Sequence, residues 1–361
     1  MNTLSHITFD LTPGSAQYPL DAWYVAATSV EVGNTPLHRR LLDKPVVLYR
    51  TRDNLPVALF DRCPHRGYPL SAGILVGDNI QCGYHGLEFS PGGGCELIPS
   101  GGQTPAGMKV RSYPVADAWG WVWIWMGDPH KADREKIPDL GIYGFGREGW
   151  FVETAATFEL RANYLLPFEN LLDATHITFL HNGQIDTGEV AGKPLEMVVE
   201  KERILVIRRI ENELQSPLTM RTFAFNGDRA HRTITAEAVP PNLCGIKVEL
   251  EPVEKSAVER QINQLVVAIT PQDRTNTLQF TAVAQTFPFV NPRWREELRD
   301  LLNEDVAAME KIQALHDSIP REEAVEFGIH ADKGAYRARS MIARMLRDET
   351  TSPSATGEQN A

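Results

Sequence analysis

Two kinds of periodicity divide the chain. From "LDAWYVAA" to "WGWVWIWMGDP", residues 20–129, apolar residues come in short runs broken by Gly and Pro, a pattern that predicts β-strands and tight turns. The clearest run sets Trp119, Trp121, Trp123 and Trp125 in alternation with Gly120, Val122, Ile124 and Met126, a period of two that predicts a strand. Four indoles on one strand face read as core or domain interface rather than as a substrate platform. The segment "GDPHKADREKIPDLG" that follows is charged and carries Pro, and the domain boundary is placed there.

Beyond it, strand-like runs recur: "GWFVETAATFEL", "RILVIRRI", "RTITAEAV", "GIKVELE", "NQLVVAIT" and "NTLQFTAVAQTF". Two helical patterns follow, near 291–316 and 321–348. In the second, Ala338, Met341, Ile342, Met345 and Leu346 make an apolar stripe, with Arg337, Arg344 and Arg347 towards a solvated side. A meander of strands with helices at one end predicts an α+β domain, an antiparallel sheet around a long helix. The expected layout is an N-terminal extension over 1–19, an all-β domain over 20–130, a second domain over 131–349 and a disordered tail over 350–361. No fixed-period repeat is present.

Composition narrows the partners. With 361 residues the chain can bury two cores, and a formal charge of −11 argues against nucleic acid, which demands a surplus of Lys and Arg. The first residues lack a basic patch followed by an apolar core, and no apolar run approaches the ~20 residues of a membrane span, so a cytoplasmic protein is expected. Four cysteines are too few and too scattered for a disulfide framework. Cys95 and Cys244 lack nearby ligand partners and read as packed thiols.

The other two carry chemistry. "FDRCPHRGYPLSAGILVGDNIQCGYHGLEF", residues 60–89, spaces Cys63, His65, Cys82 and His85 as C-x-H-x16-C-x2-H. Thiolate and imidazole both suit zinc and iron. A structural zinc site is one reading, but the single residue between Cys63 and His65 fits the usual zinc spacing badly. A [2Fe–2S] cluster with two thiolates on one iron and two imidazoles on the other matches the two-plus-two inventory. The Pro and Gly beside the ligands suit tight loops that converge on one point.

A second set lies in "PFENLLDATHITFLH", residues 167–181. If "FENLLDATHI" is helical, Asn170, Asp173 and His176 form one polar stripe. His181 then points elsewhere, so the helix must distort or end near Thr178 for both imidazoles to meet one ion. Two imidazoles call for a carboxylate to complete a facial triad. In "PRWREELRDLLNEDVAAMEKIQALHD" the apolar face runs Leu298, Leu301/Leu302, Met309 and Ile312, and Asp305 falls on it. An ionised carboxylate on a buried stripe is costly unless paired or metal-bound, which makes Asp305 the candidate third ligand. Glu304 is the fallback, and pairing of Asp305 with an Arg is the alternative.

The 60–89 stretch resembles the Rieske domain of the non-haem iron oxygenases, and "AWYVAA", "LLDKPVVLYR" and "WIWMGDP" share that likeness, strongest in the first 130 residues. Asn170-x2-Asp173-x2-His176-x4-His181 resembles their mononuclear iron motif, and "NED" before "VAAMEKIQ" resembles the segment that supplies the ligand Asp. The resemblance implies a helix-grip catalytic domain, a Rieske cluster on Cys63, His65, Cys82 and His85, and Fe(II) on His176, His181 and Asp305. Asp173 would then be the acid that bridges the two centres, and Asn170 a supporting residue or weak ligand. It further implies a head-to-tail homotrimer in which one subunit's cluster faces the next subunit's iron.

"GFGREG", residues 144–149, matches a nucleotide-loop pattern but precedes a β-rich run rather than a helix, so it is set aside. NAD(P)H would act only indirectly, through a ferredoxin and/or a flavin reductase. The likeness to short members such as the vanillate O-demethylases, dicamba monooxygenases and toluenesulfonate methyl-monooxygenases implies a terminal oxygenase that demethylates or hydroxylates an aromatic acid with O2. Rival readings are a cis-dihydroxylating dioxygenase and an electron-transfer protein with a non-catalytic binding domain.

Overall fold

The computed structural model describes residues 18–181, 183–223, 228–253, 260–320 and 323–351, with the backbone of 7–8. Most of the expected N-terminal extension, and the tail from 352, lie outside the described residues. Thr350 and Thr351 belong to the last helix rather than to the tail.

The first half is all-β. Its strands are Trp23–Thr28 (β1), Leu37–Leu41 (β2), Lys44–Arg50 (β3), Pro56–Phe60 (β4), Ile74–Val76 (β5), Asn79–Gln81 (β6), Glu88–Phe89 (β7), Cys95–Leu97 (β8), Ser112–Tyr113 (β9), Val115–Ala118 (β10) and Trp121–Trp125 (β11). They form three antiparallel sheets, ordered β9-β4-β3-β2, β10-β11-β1 and β5-β6-β7-β8. The Trp run departs from the expected strand at its first member. Trp119 (φ 59°) and Gly120 (φ 82°) make a left-handed turn, so the strand begins at Trp121. All five residues of β11 are buried, because both of its faces are covered.

The second half is built on a seven-stranded antiparallel sheet. Its strands are Phe151–Leu160 (β12), Leu195–Glu200 (β13), Arg203–Leu214 (β14), Arg229–Val239 (β15), Leu243–Pro252 (β16), Gln261–Asp273 (β17) and Asn276–Gln285 (β18), ordered β12-β18-β17-β16-β15-β14-β13. Helices α1 (Leu165–Leu172), α2 (His176–Phe179), α3 (Pro217–Phe223), α4 (Trp294–Ser318) and α5 (Lys333–Thr351) complete it. The long helix α4 packs through Leu302 and Met309 on Phe158, Leu160 and Leu166. This is the expected α+β class. No helix among the described residues is long and apolar enough to cross a membrane.

Three helical expectations are corrected. Residues 168–177 are not one helix: α1 stops at Leu172, and Asp173 is extended (φ −107°, ψ 98°). Its carboxylate accepts from Thr175 N–H at 2.9 Å, an Asx turn that competes with the helical ladder. The last helix starts at Lys333 rather than 321, after a 3-10 turn (His330–Asp332) in which Asp332 accepts from Ile329 N–H at 2.6 Å. On α4, Ile312 is 42% exposed, and Gln313 takes the buried place because its Oε1 accepts from Asn163 N–H at 2.9 Å.

The two halves share one core. A single buried cluster joins Trp23, Val25, Trp121 and Trp123 of the first half to Val266, Ala268, Ile269 and Phe280 of the second. Thr270 Oγ1 donates to Val25 C=O at 2.8 Å. The β2–β3 turn, Leu42 (φ 48°) and Asp43 (φ 65°), docks on the end of β17, donating its two N–H groups to Pro271 and Gln272 C=O at 2.9 Å. A left-handed Leu costs about 1–2 kcal/mol, and these bonds and its burial offset that. Along β17, Thr270 faces the first half while Asn263 and Leu265, of opposite parity, face a cavity on the helical side. Trp123→Ala is expected to cost about 3–5 kcal/mol. Because the core is shared, thermal melts followed by far-UV circular dichroism and by cluster absorption should move down together as one transition.

Candidate redox and metal site

Cys63–Tyr68 and Cys82–Leu87 form two loops of the same design. In each, the Cys N–H donates to the C=O five residues on (Tyr68 and Leu87, both 2.8 Å). In each, the Cys C=O accepts from a Gly N–H four residues on, Gly67 at 2.9 Å and Gly86 at 3.0 Å. Both glycines are left-handed, at φ 75° and 74°, a conformation that only Gly adopts cheaply. The loops bury Cys63 and Cys82 side by side and leave His65 and His85 exposed, their rings 4.6 Å apart. Burial pushes the Cys63 thiol up, the N–H groups of His65 and Arg66 that face its sulfur pull it down, and the Cys82 thiol adds to the rise. A cluster bound here would have its thiolate side in apolar packing and its imidazole side towards solvent.

The first loop is stapled by a residue that pattern alone did not flag. The carboxylate of Asp61 is 1% exposed and accepts from Ser71 N–H (2.7 Å), Ser71 Oγ (2.6 Å) and His38 Nδ1 (2.7 Å). It thereby ties together the two ends of the segment that carries Cys63 and His65.

In the second half, the break at Asp173 turns the chain so that His176, His181 and Asp305 converge. One ligand atom from each lies within 4.8 Å of the others. Asp305 Oδ1 is 3.4 Å from His176 Nε2 and 3.2 Å from His181 Nε2. Both Nδ1 atoms are engaged, His176 donating to Asp173 C=O at 2.5 Å and His181 to Glu304 at 2.7 Å. A proton held on Nδ1 leaves Nε2 with its lone pair free, which is what a metal requires. Burial pushes the His181 pKa down, and the carboxylates of Asp305 and Glu304 more than reverse it.

The neighbouring polar groups settle into supporting positions. Asn170 Nδ2 donates to Asp305 Oδ1 at 3.0 Å. Glu304, the fallback ligand, is spoken for: its two oxygens take His181 Nδ1 and Gln184 Nε2. The carboxylate of Asp173 is held by Thr175 and lies 3.8 Å from Arg208. The three convergent residues line a cavity of about 200 Å³ whose walls also include Leu171, Ile177, Leu218, Ile234 and Leu301. "GFGREG" forms a turn whose three glycines are left-handed and which leads into β12, not into a helix. Cys244 is buried and Cys95 half-buried.

These residues fit both groups that the sequence motifs imply. Two buried sulfurs with facing amides and two adjacent imidazoles suit a two-iron cluster, and two imidazoles with a carboxylate suit a single Fe(II). His176→Ala is expected to remove the mononuclear metal while sparing the cluster's visible absorption, as read by iron analysis beside the spectrum. Glu304→Gln should weaken metal retention by about 10–100-fold, measured by chelator competition, because it loosens the His181 tautomer.

Comparison with known proteins agrees with this geometry. Residues 22–114 match the Rieske [2Fe-2S] domain, and residues 160–348 match the vanillate O-demethylase oxygenase C-terminal domain. The chain is 32% identical to the oxygenase component of dicamba O-demethylase from Stenotrophomonas maltophilia, over 81% of this chain and 87% of that one. It is 32% identical to a toluene-4-sulfonate monooxygenase system iron-sulfur subunit from Comamonas testosteroni, over 91% and 97%. A crystal structure of dicamba monooxygenase bound to 3,6-dichlorosalicylic acid superposes with a TM-score of 0.85 at 28% identity, covering 93% of this chain and all of that one. The chain belongs to the Rieske non-haem iron oxygenases, as the oxygenase component of a multicomponent monooxygenase system with a [2Fe–2S] cluster and a mononuclear iron.

Proposed function

We propose that this oxygenase component inserts one oxygen atom into an aromatic acid, by demethylating a methoxy or N-methyl group or by hydroxylating a methyl group or the ring. The observation that carries this reading is the convergence of two imidazole Nε2 atoms on one carboxylate in the lining of an apolar cavity. The relatives' own substrates point the same way, since dicamba and toluene-4-sulfonate are both aromatic acids.

Cys63, His65, Cys82 and His85 hold the cluster, and His176, His181 and Asp305 hold the iron. When bound, the cluster supplies electrons one at a time and the ferrous ion supplies dioxygen activation. Asp173 C=O and Glu304 fix the tautomers and ring planes of the two imidazoles, and Asn170 orients the Asp305 carboxylate. The apolar walls keep water from the reacting atoms.

Asp173 serves as the bridge between centres. Its side chain is 22% exposed, and its polar contacts within the chain are to Thr175 and Arg208 rather than to His65 or His85. A part-exposed carboxylate suits an imidazole N–H arriving from another subunit, and the exposed His65–His85 tip is the group that would supply it. This favours a head-to-tail homotrimer, with electrons reaching the tip from a ferredoxin and/or a flavin reductase in the cytoplasm.

Two measurements test the reading. With a surrogate reductase and 18O2, the product of an accepted methoxy-aromatic acid should release labelled formaldehyde, one oxygen atom per turnover going to the organic product; a diol holding both atoms would refute it. Asp173→Asn preserves the acceptor for Thr175 N–H, so all three irons should remain while single-turnover oxidation of the cluster slows by roughly 10–100-fold. An unchanged rate would remove Asp173 from the path.

A further inference from the structure

The cavity beside His176, His181 and Asp305 is floored by cross-strand rows of the large sheet. One row runs Ile234, Val248, Asn263, Gln285, each residue paired with the next, and its neighbour runs Ile246, Leu265, Val283. Two amides thus interrupt an apolar floor. Asn263 Nδ2 donates to Gln285 Oε1 at 2.8 Å, which leaves Gln285 Nε2 and Asn263 Oδ1 without a partner among the described residues. Gln285 is 2% exposed and lines the cavity, so the exposure it retains is to the cavity. A ligand that fills the cavity can take up the spare donor.

Charge is arranged differently. Outside the three convergent residues, the charged groups lining the cavity are Arg232 and Glu297. Arg232 is taken up by Glu213 at 2.7 Å and Asp186 at 3.2 Å, both fully buried, and Glu297 meets Arg221 at 3.3 Å. Among the described residues, no charged lining residue outside the three convergent ones lacks a partner of opposite sign, although Arg232 Nε makes no hydrogen bond.

We propose that Asn263 and Gln285 are the specificity-determining residues of the cavity: they hold an sp² oxygen of the substrate by neutral hydrogen bonds, so neutral aromatic carbonyl compounds, primary amides among them, are accepted alongside aromatic acids. The inference rests on the cavity being the substrate site. An acid entering here gains a donor but no counter-ion. An amide gains the same Gln285 donor and offers its own N–H to Asn263 Oδ1. Discrimination between the two is accordingly small, whereas a pocket built on an ion pair rejects the neutral analogue strongly.

Calorimetric titration of the iron-loaded holoenzyme with 4-methoxybenzoate and 4-methoxybenzamide tests this. The two dissociation constants should lie within about tenfold of each other. Gln285→Met keeps the length and removes the donor, and should weaken both ligands by about tenfold. Gln285→Glu should weaken the benzoate more than the benzamide, because the new carboxylate repels the acid but can accept an amide N–H, a selective change that a collapsed pocket would not produce. Preference for the benzoate by more than about a hundredfold would assign recognition to charge and overturn the proposal. So would failure of the wild type to bind either compound, or constants unaffected by Gln285→Met. Oxygen uptake by the same preparations supplied with NADH and a surrogate reductase separates the two claims: binding without uptake counts against the proposed reaction and leaves the amide subsite standing.

Discussion

The Asp173 carboxylate accepting the Thr175 N–H is the interaction on which the metal geometry depends. It offers the backbone an alternative to the next helical turn, so α1 ends one residue earlier and the chain restarts as the four-residue α2. That restart sets His176 against the carbonyl of the same Asp173 and allows His181 to reach α4. One short side chain thus ends a helix, and its own carbonyl fixes a tautomer.

The large sheet works as a wall with two different tenants. One face of β17 carries Thr270 and packs on the first half, while the other carries Asn263 and Leu265 and forms the cavity floor. Strict alternation along a strand makes this possible without any extra layer. Side chains two residues apart serve the same tenant, and adjacent ones serve different tenants. Packing of the cluster-bearing half therefore bears on the shape of the cavity through β17 and its neighbour β18.

Much of this was legible in the chain. C-x-H-x16-C-x2-H singled out four candidate ligands because its two-plus-two inventory suits a [2Fe–2S] cluster better than its spacing suits zinc, and the Gly residues foretold tight loops. Asp305 stood out because an acid on the apolar face of α4 needs a reason, and it is indeed buried. Other features were hidden for physical reasons. The helix break at Asp173 was missed because apolar periodicity persists through it, although Asp-x-Thr is itself a turn signal. Asp61 and Ser71 meet only because a loop folds back, and nothing in their spacing says so. Gln313 displaced Ile312 from the buried stripe because a remote backbone N–H at Asn163 needed an acceptor. Each of these belongs to tertiary contacts that local pattern does not encode.

The continuous core across the two halves bears on how such a protein can be rebuilt. A redox module grafted from a distant relative would bring its own tryptophans against Val266, Ala268 and Phe280, which have settled around different ones. Hybrids cut at the polar connector would therefore inherit two mismatched surfaces, and a working swap must carry β17 and β18 with the donor piece.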